Sequence, residues 1–276
     1  MVTADRELEL TDRELARIVK LVYDRSGITL HEGKRPLVMA RLQKRLRAHG
    51  LTSFTAYLEL VERDKKGDEL VLLLDAIATN HTYFFREEQH FEMLASRVVP
   101  EWRAQRPSGP LRIWSAACSS GEEPYTIAMT LADLPAPIDF GIVASDMSTK
   151  VLATAKSGVY KLSSVEALPR ELLRRHFERG LGAQEGAARV MAGIRRHVSF
   201  QNLNLLEITD LGERFDVIFC RNVMIYFDKS VQQRVVTMLE RHLKPNGYLF
   251  ISHSESLNGL AHSLKWVAPA VYARQA

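Results

Sequence analysis

Cysteine is almost absent, with Cys118 and Cys220 the only two in 276 residues. Each ends an apolar, strand-like segment, and such a pair reads as reduced thiols rather than a structural staple, so no disulfide is expected. No apolar run approaches the roughly 18 residues that would mark a membrane span. The opening MVTADRELEL is polar and acidic, where a secretory signal would be basic and then apolar. The expectation is a soluble, cytoplasmic protein without membrane insertion. Internal repeats, low-complexity tracts, a metal-ligating cluster and a nucleophilic triad are also missing. The excess of one charge sign is small, 37 Lys and Arg against 33 Asp and Glu, a net +4 that permits an acidic partner without demanding nucleic acid.

Phosphate-binding loops are missing too. Neither GxGxxG nor GxxxxGK[ST] occurs, although Arg112–Ala128 (RIWSAACSSGEEPYTIA) has the strand–turn–helix form in which such loops are found. The strand begins near Leu111. The run Ser115-Ala116-Ala117-Cys118-Ser119-Ser120-Gly121 is small enough for a ligand to approach the backbone. Glu122, Glu123 and Pro124 then open the helix. The two carboxylates either complement the helix dipole or repel a pyrophosphate while favouring an amine, a hydroxyl or a cation. The loop therefore argues against NAD and ATP. A second apolar strand, Ile138 to Ser145, ends in Asp146 at what reads as an exposed strand tip. An acidic residue there is either a turn or cap residue or the usual partner of ribose hydroxyls. Taken together, Glu123 and Asp146 point to a nucleoside without phosphates.

At 276 residues the chain has room for one large domain or two ordinary ones. Its first part is helical. Thr11-Asp12-Arg13-Glu14 is a capping box ahead of Leu15, Ile18, Val19 and Val22, and Gly27 supplies a stop. Lys34 to His49 carries Lys34, Arg35, Arg41, Lys44, Arg45 and Arg47 with no acidic residue, around a stripe of Leu37, Val38, Leu42 and Leu46. With nothing local to neutralise it, this helix reads as a dock for an acidic surface rather than only a solvated face. Helices through Phe54, Tyr57, Leu58 and Val61, and through Leu70, Leu74 and Ile77, complete a small domain over residues 1–80.

The segment Thr79–Glu88 (TNHTYFFREE) joins this domain to the second, residues 81–276, interleaving Asn80, Thr82 and Arg86 with aromatics. A helix from about Glu87 to Gln105 follows, and Pro107-Ser108-Gly109-Pro110 turns into the first strand. A basic helix opens at Pro169. The loop Gly180–Gly186 and alternating segments around Arg189–Met191 and Arg195–Phe200 read as a small β excursion, about 180–200. Phe215–Cys220 (FDVIFC) is a buried strand ending in Arg221 and Asn222. A helix capped by Asp228, a strand from Tyr248 to Ser252 and an antiparallel edge strand over Trp266–Arg274 close the chain.

TNHTYFFRE, RIWSAACSSGEEPYTIAM, SDMSTKVLATAKSGVY, FDVIFCRNVMIYF and GYLFISHSESL together resemble the CheR-type chemoreceptor glutamate O-methyltransferases, in order and spacing over nearly the whole chain. The resemblance implies a doubly wound, Rossmann-like α/β methyltransferase domain, a small all-helical N-terminal domain and a small β-subdomain insertion. It implies S-adenosylmethionine as cofactor, S-adenosylhomocysteine as product, and glutamates on the cytoplasmic helical domain of bacterial chemoreceptors as substrate. That cofactor carries a sulfonium, an ammonium group and a ribose but no phosphate, in agreement with the charge argument. The family's cofactor positions fall on Asn80, Thr82, Arg86, Glu123, Asp146, Asn204, Leu205, Arg221 and Asn222. Asp146 would hold the ribose, Glu123 would lie nearest the methionine part, and Asn204 and Leu205 would line the adenine side. Arg86 would pair with the cofactor carboxylate or orient the substrate's. Tyr226 would sit over the transferring methyl as a positioning residue, its alternative being a core tyrosine.

The substrate carboxylate, with a pKa of about 4.3, is already ionised at neutral pH, so no general base and no metal are expected. Two alternatives are a non-catalytic module that binds the cofactor and docks on receptors, and a nucleic-acid methyltransferase. The second is weakened by Arg221-Asn222-Val223-Met224, which stands where base-amino methyltransferases have an [Asp/Asn]-Pro-Pro-aromatic turn, and by the lack of a stacking platform in the basic helix. In the family resembled, some members bind a receptor's C-terminal tail peptide through the β-subdomain and a glycine-bearing loop, here Gly180, Gly182 and Gly186. The chain is expected to be a monomer.

Overall fold

A computed structural model describes residues 9–78, 80–105, 109–208 and 210–275. Thr79, Pro107 and Ser108, on which two of the expected junctions fall, lie outside them. The chain forms two compact units, one made of the described residues up to Ala78 with Tyr226–Asp228, the other of those in Asn80–Ile225 and Lys229–Ala276.

The first unit is helical: α1 (Asp12–Ser26), α2 (Arg35–Ala48), α3 (Phe54–Arg63) and α4 (Asp68–Ile77). The capping box forms as read, with Thr11 Oγ1 accepting from Glu14 N while Glu14 accepts from Thr11 N, and Gly27 ends α1 at φ 69°. Leu15, Ile18 and Val22 of α1 are buried with Val38, Leu42 and Leu46 of α2 and Tyr57, Leu58, Leu73 and Ile77 beyond. Each such side chain contributes on the order of 1.5–3 kcal/mol. Tyr226–Asp228 belongs to this unit through the Tyr226 carbonyl, which accepts from Thr29 N at 2.8 Å, and Asp228, which accepts from the Tyr23 hydroxyl at 2.6 Å.

The basic helix α2 is not the unopposed surface that its local sequence suggests. Arg35 donates to Asp12 and to the Leu10 carbonyl, and Arg41 donates to the carbonyls of Ile77 and Ala78 at the end of α4. Arg45 makes a two-pronged pair with Glu69 at 2.7 and 3.0 Å. The neutralising groups come from α1 and α4, more than twenty residues away, where a local reading does not look. Lys34, Lys44 and Arg47 remain exposed.

In the second unit, α5 (Gln89–Met93), a π-helical turn (Leu94–Val98) and α6 (Val99–Gln105) precede the strands. Next come β1 (Leu111–Ala116), α7 (Glu122–Ala132), β2 (Phe140–Asp146), α8 (Thr149–Ser157), β3 (Val159–Lys161), α9 (Arg170–His176), β4 (Phe177–Arg179), β5 (Ala187–Val190) and α10 (Ala192–Arg195). Last are β6 (Val198–Asn202), β7 (Phe215–Cys220), α11 (Lys229–His242), β8 (Leu243–Phe250), β9 (Lys265–Ala268) and β10 (Val271–Ala273). The main sheet has seven strands in the order β6-β2-β1-β7-β8-β10-β9. Its first five are parallel, and β10 and β9 are antiparallel. Central β7 is buried at all six positions, as expected of a parallel strand covered on both faces. Trp114 of β1 is fully buried and its indole N–H donates to Ser145 Oγ of β2 at 2.9 Å.

The β excursion is arranged differently from its reading over 180–200. The small sheet is β3-β5-β4, from Val159 to Val190, while β6 pairs with β2 at the edge of the main sheet. β3 and β4 have only three residues each, too short for alternation to show, and β4 directly continues α9. The end of the chain is a hairpin, β9 and β10, rather than one edge strand.

Glu69 is the electrostatic centre of the first unit. It is buried and accepts from Arg45, from the Tyr57 hydroxyl at 2.7 Å and from His49 Nε2 at 2.8 Å. Burial raises its pKa, but the bonds from Arg45, Tyr57 and His49 outweigh this and hold it at about 2. A depressed pKa stabilises the fold at pH above about 4.5, and that contribution is lost as pH falls toward 2. Urea unfolding is therefore expected to show stability declining between about pH 5 and 2, with Glu69→Gln flattening the decline and costing about 3 kcal/mol at pH 7. An unchanged pH slope in the variant would contradict the ionic reading.

Candidate functional site

Strand order reverses about β1: the chain runs from β1 outward to β2 and β6, then returns to β7 on the other side. In a doubly wound sheet, the crevice beyond the carboxyl ends of the strands at such a switch point is the ligand site. Here it is walled by the loops after β1, β2, β6, β7 and β8, joined by the segment from Asn80.

The loop after β1 is tightly wound. Ala117 and Ser119 take φ values of 61° and 49°, and Gly121 takes 97°. A Cβ on Gly121 would lie 2.8 Å from Ala155 Cβ and 2.9 Å from the Tyr160 hydroxyl, so glycine is required there sterically and conformationally. Tyr160 donates to the Ser120 carbonyl at 2.7 Å, and Cys118 N donates to the Ser145 carbonyl at 2.9 Å. Both thiols, Cys118 and Cys220, are free and buried, and burial raises their pKa values.

Asp146 is not at an exposed tip: it is 8% exposed. Its Oδ2 accepts from Ser119 N and its Oδ1 from Ser148 N, both at 2.9 Å. The carboxylate thus anchors the β1 loop to the start of α8. Asn202, at the end of β6, donates to the carbonyls of Asp146 and Met147, and Leu203 N also donates to the Asp146 carbonyl. Asn204 and Leu205 follow in a turn where Asn204 Oδ1 accepts from Leu206 N. Asp146, Asn204 and Leu205 therefore share one end of the crevice.

The other end is built around Arg221, which is buried at the end of β7. Its guanidinium pairs at 3.1 Å with Glu123 of α7 and at 3.1 Å with Glu87, donates to the Arg86 carbonyl, and lies 5.4 Å from the centre of the Phe91 ring. Glu123 also accepts from Ser115 Oγ at 2.7 Å. Burial pushes the Glu123 carboxyl up, against the opposing pull of Arg221. Glu122, also buried and raised by burial, accepts from Ser120 Oγ at 2.7 and 3.0 Å. Both carboxylates that opened the helix on paper are thus held inward. Asn222 takes φ 60° and donates its side-chain amide to Ser252 Oγ at 2.6 Å.

Asn80 reaches the β1 loop through its carbonyl, which accepts from Ser119 Oγ at 3.3 Å. Thr82 is half-buried nearby in the chain. Arg86 brings its backbone to Arg221, while its guanidinium bonds the His81 carbonyl at 2.9 Å and lies 5.7 Å from the Tyr83 ring centre. Tyr226 is not brought together with these residues within one unit, because it packs with the helical unit.

Sequence reasoning missed Glu87, His90, Ser252, His253 and Glu255. Glu87 accepts from Ser252 Oγ at 2.7 Å, and its other oxygen lies 3.4 Å from His90 Nδ1 and 3.3 Å from His253 Nδ1. Burial raises the Glu87 pKa, but the Ser252 bond and the Arg221 charge hold it at about 2; burial and Arg221 lower that of His90 to about 4. These three groups have metal-ligand chemistry, with ligand atoms within 4.8 Å of one another. However, the two imidazoles stack, with 4.7 Å between ring centres, and Arg221 already pairs with the shared carboxylate oxygen, so a cation there would face a buried guanidinium. The only signals in the sequence were the paired acids of REE and the polar run SHSES.

A tight loop of small residues, an acid at the end of β2 and a buried ion-paired cluster thus lie at the carboxyl ends of the strands of a doubly wound α/β domain. The chain belongs to the CheR methyltransferase family: the family's SAM binding domain matches residues 80–272 and its all-alpha domain residues 13–78. It is 44% identical over 271 residues to the chemotaxis protein methyltransferase of Salmonella typhimurium, covering 97% of this chain and 92% of that protein. It is 44% identical to that of Escherichia coli (96% and 92% covered) and 38% identical to that of Borreliella burgdorferi (96% and 95% covered). Membership makes S-adenosylmethionine the cofactor and favours catalysis over a docking-only module. The residues fit that cofactor, since the loop after β1 is built of small residues and the carboxylates of Glu123 and Asp146 lie at the strand ends, suited to cationic and hydroxyl groups, rather than a phosphate cradle.

Proposed function

We propose that this chain is a cytoplasmic protein-glutamate O-methyltransferase that esterifies glutamates on the cytoplasmic helical domain of bacterial chemoreceptors. The observation that carries the reading is a crevice built of ion-paired positioning groups, Glu87–Arg221–Glu123, in a chain aligned almost end to end with chemotaxis methyltransferases. Bound S-adenosylmethionine supplies an electrophilic methyl group on a sulfonium. A glutamate already ionised at neutral pH needs no base, so the protein's work is alignment and exclusion of water. With the cofactor held by these residues, the oxygen–methyl bond would form as the carbon–sulfur bond broke, its electron pair staying on sulfur.

In this reading Asp146 takes the ribose hydroxyls, with its orientation fixed by Ser119 and Ser148. Glu123 has lone-pair sites left for the ammonium group after Ser115 and Arg221. Asn80, Thr82, Arg221 and Asn222 complete the cofactor contacts, with Asn204 and Leu205 on the adenine side. Arg86 and Tyr226 position the carboxylate and the methyl. The domain division falls at Asn80, with the helical unit and the small sheet serving receptor docking. Lys34, Lys44 and Arg47, the exposed remainder of the basic helix, face acidic receptor helices. The loop between β4 and β5 and the free edges of β3 and β4 receive an extended receptor tail. Gly180 fits that loop's tight course, since a Cβ there would lie 2.0 Å from the Gln184 carbonyl oxygen, and Leu181 is 83% exposed.

Incubation with methyl-labelled cofactor and receptor fragments is expected to label glutamates as esters that alkali releases as methanol. The single-turnover rate is expected to be nearly flat from about pH 6 to 8. Alkali-stable label would contradict ester formation, and a tenfold rise following a group near pH 7 would reveal a base. For docking, Lys44→Glu with Arg47→Glu is expected to weaken methylation at low salt while sparing cofactor binding, and removing three residues from Gly180–Gly186 to abolish tail-peptide binding. Unchanged methylation and unchanged peptide binding, respectively, would refute these two surfaces.

A further inference from the structure

The turn that leaves β7 carries Arg221 and Asn222 into the crevice, yet its backbone N–H groups have run past the sheet ladder. They are collected by one side chain. Glu255, in the loop after β8, accepts from Asn222 N at 3.1 Å and Ser252 N at 2.7 Å on Oε2, and from Met224 N at 2.8 Å on Oε1. Ser252, fully buried, extends the arrangement: its hydroxyl donates to Glu87 at 2.7 Å and accepts from the Asn222 amide at 2.6 Å. Glu87 in turn pairs with Arg221. A chain of hydrogen bonds therefore runs from Glu255 to both ends of the Arg221-Asn222 pair.

We propose that Glu255 is a positioning residue for the cofactor crevice, holding Asn222 in its left-handed conformation and, through Ser252 and Glu87, fixing the Arg221 guanidinium. The inference rests on the reading of Arg221 and Asn222 as cofactor residues. Asn222 at φ 60° is in a region that costs a non-glycine residue free energy unless its surroundings enforce it. Two carboxylate oxygens can accept three N–H groups in this geometry. A glutamine of the same volume cannot, because its NH₂ would confront a backbone donor. Aspartate keeps the charge but falls one methylene short.

The test uses the full chain and compares Glu255→Gln, Glu255→Asp, Asn222→Ala and the double variant Asn222→Ala/Glu255→Gln. S-adenosylhomocysteine affinity is measured by calorimetry, with near-ultraviolet circular dichroism checking the fold. Each single variant is expected to raise Kd about tenfold, the loss of roughly one charge-assisted hydrogen bond, and the double variant to be no weaker than the weaker single. That non-additivity is what a merely structural role would not produce. If Asn222→Ala weakens binding while Glu255→Gln and Glu255→Asp do not, or if the two effects simply multiply, the positioning role is overturned. If Asn222→Ala itself leaves Kd unchanged, the underlying cofactor assignment fails instead. Should the Glu255 variants not fold, Ser252→Ala, which removes only the hydroxyl between Asn222 and Glu87, takes their place in the same cycle with the same criteria.

Discussion

A guanidinium buried to 5% exposure holds the crevice together. Arg221 follows β7, Glu123 lies in the first turn of α7 and Glu87 lies in the segment before α5, so one charge ties three stretches far apart in sequence. An arginine taken out of water is tolerated only when its partners are good, and ion pairs of this kind seldom add net stability over a well-packed apolar substitute. Their value is geometric. The planar fork of arginine fixes the directions of two carboxylates and a carbonyl at once, which a lysine in the same place would not do. Among the described residues, Arg221 Nε has no hydrogen-bond partner.

The charges around it suit what the crevice must hold. One guanidinium faces two carboxylates, and Glu122 and Asp146 both bond the loop after β1, through Ser120 and Ser119, so acidic side chains outnumber the basic one there, as the proposed cationic ligand requires. Positively charged ligands are favoured and phosphates opposed. Among the described residues, Glu87, Glu123, Asp146 and Arg221 are each tied to fixed partners, an arrangement suited to holding a reaction geometry rather than carrying protons. The left-handed backbone at Ser119 and Asn222 belongs to the same design, since each is bound by a hydrogen bond that crosses to another loop or strand end.

Much of this was legible in the sequence where the signal was local and periodic. The capping box at Thr11, the alternation of apolar runs with helical stripes, and the small-residue loop before Glu122 all announce their structures within a few residues. The charge of Glu122 and Glu123, with neither phosphate-loop pattern present, argued against NAD and ATP. What the sequence could not show was pairing at a distance. The basic helix looked unopposed because Asp12 and Glu69 come from other helices, and Asp146 looked exposed because the loop after β1, which supplies Ser119 N, lies far from it in sequence. The three-residue strands β3 and β4 were invisible for want of length. Glu87, Ser252 and Glu255 escaped notice because polar residues near a strand end read as ordinary turn chemistry until the strand beside them is known.

The central claim is that the Arg221 fork, and not merely its charge, shapes the cofactor crevice. Replacing it by lysine keeps the charge and most of the volume but removes the simultaneous bonds to Glu87, Glu123 and the Arg86 carbonyl. Calorimetric titration of Arg221→Lys with S-adenosylhomocysteine, at a temperature where circular dichroism shows the variant folded, is predicted to show affinity reduced by about tenfold or more. Wild-type affinity in a folded Arg221→Lys protein would contradict the account.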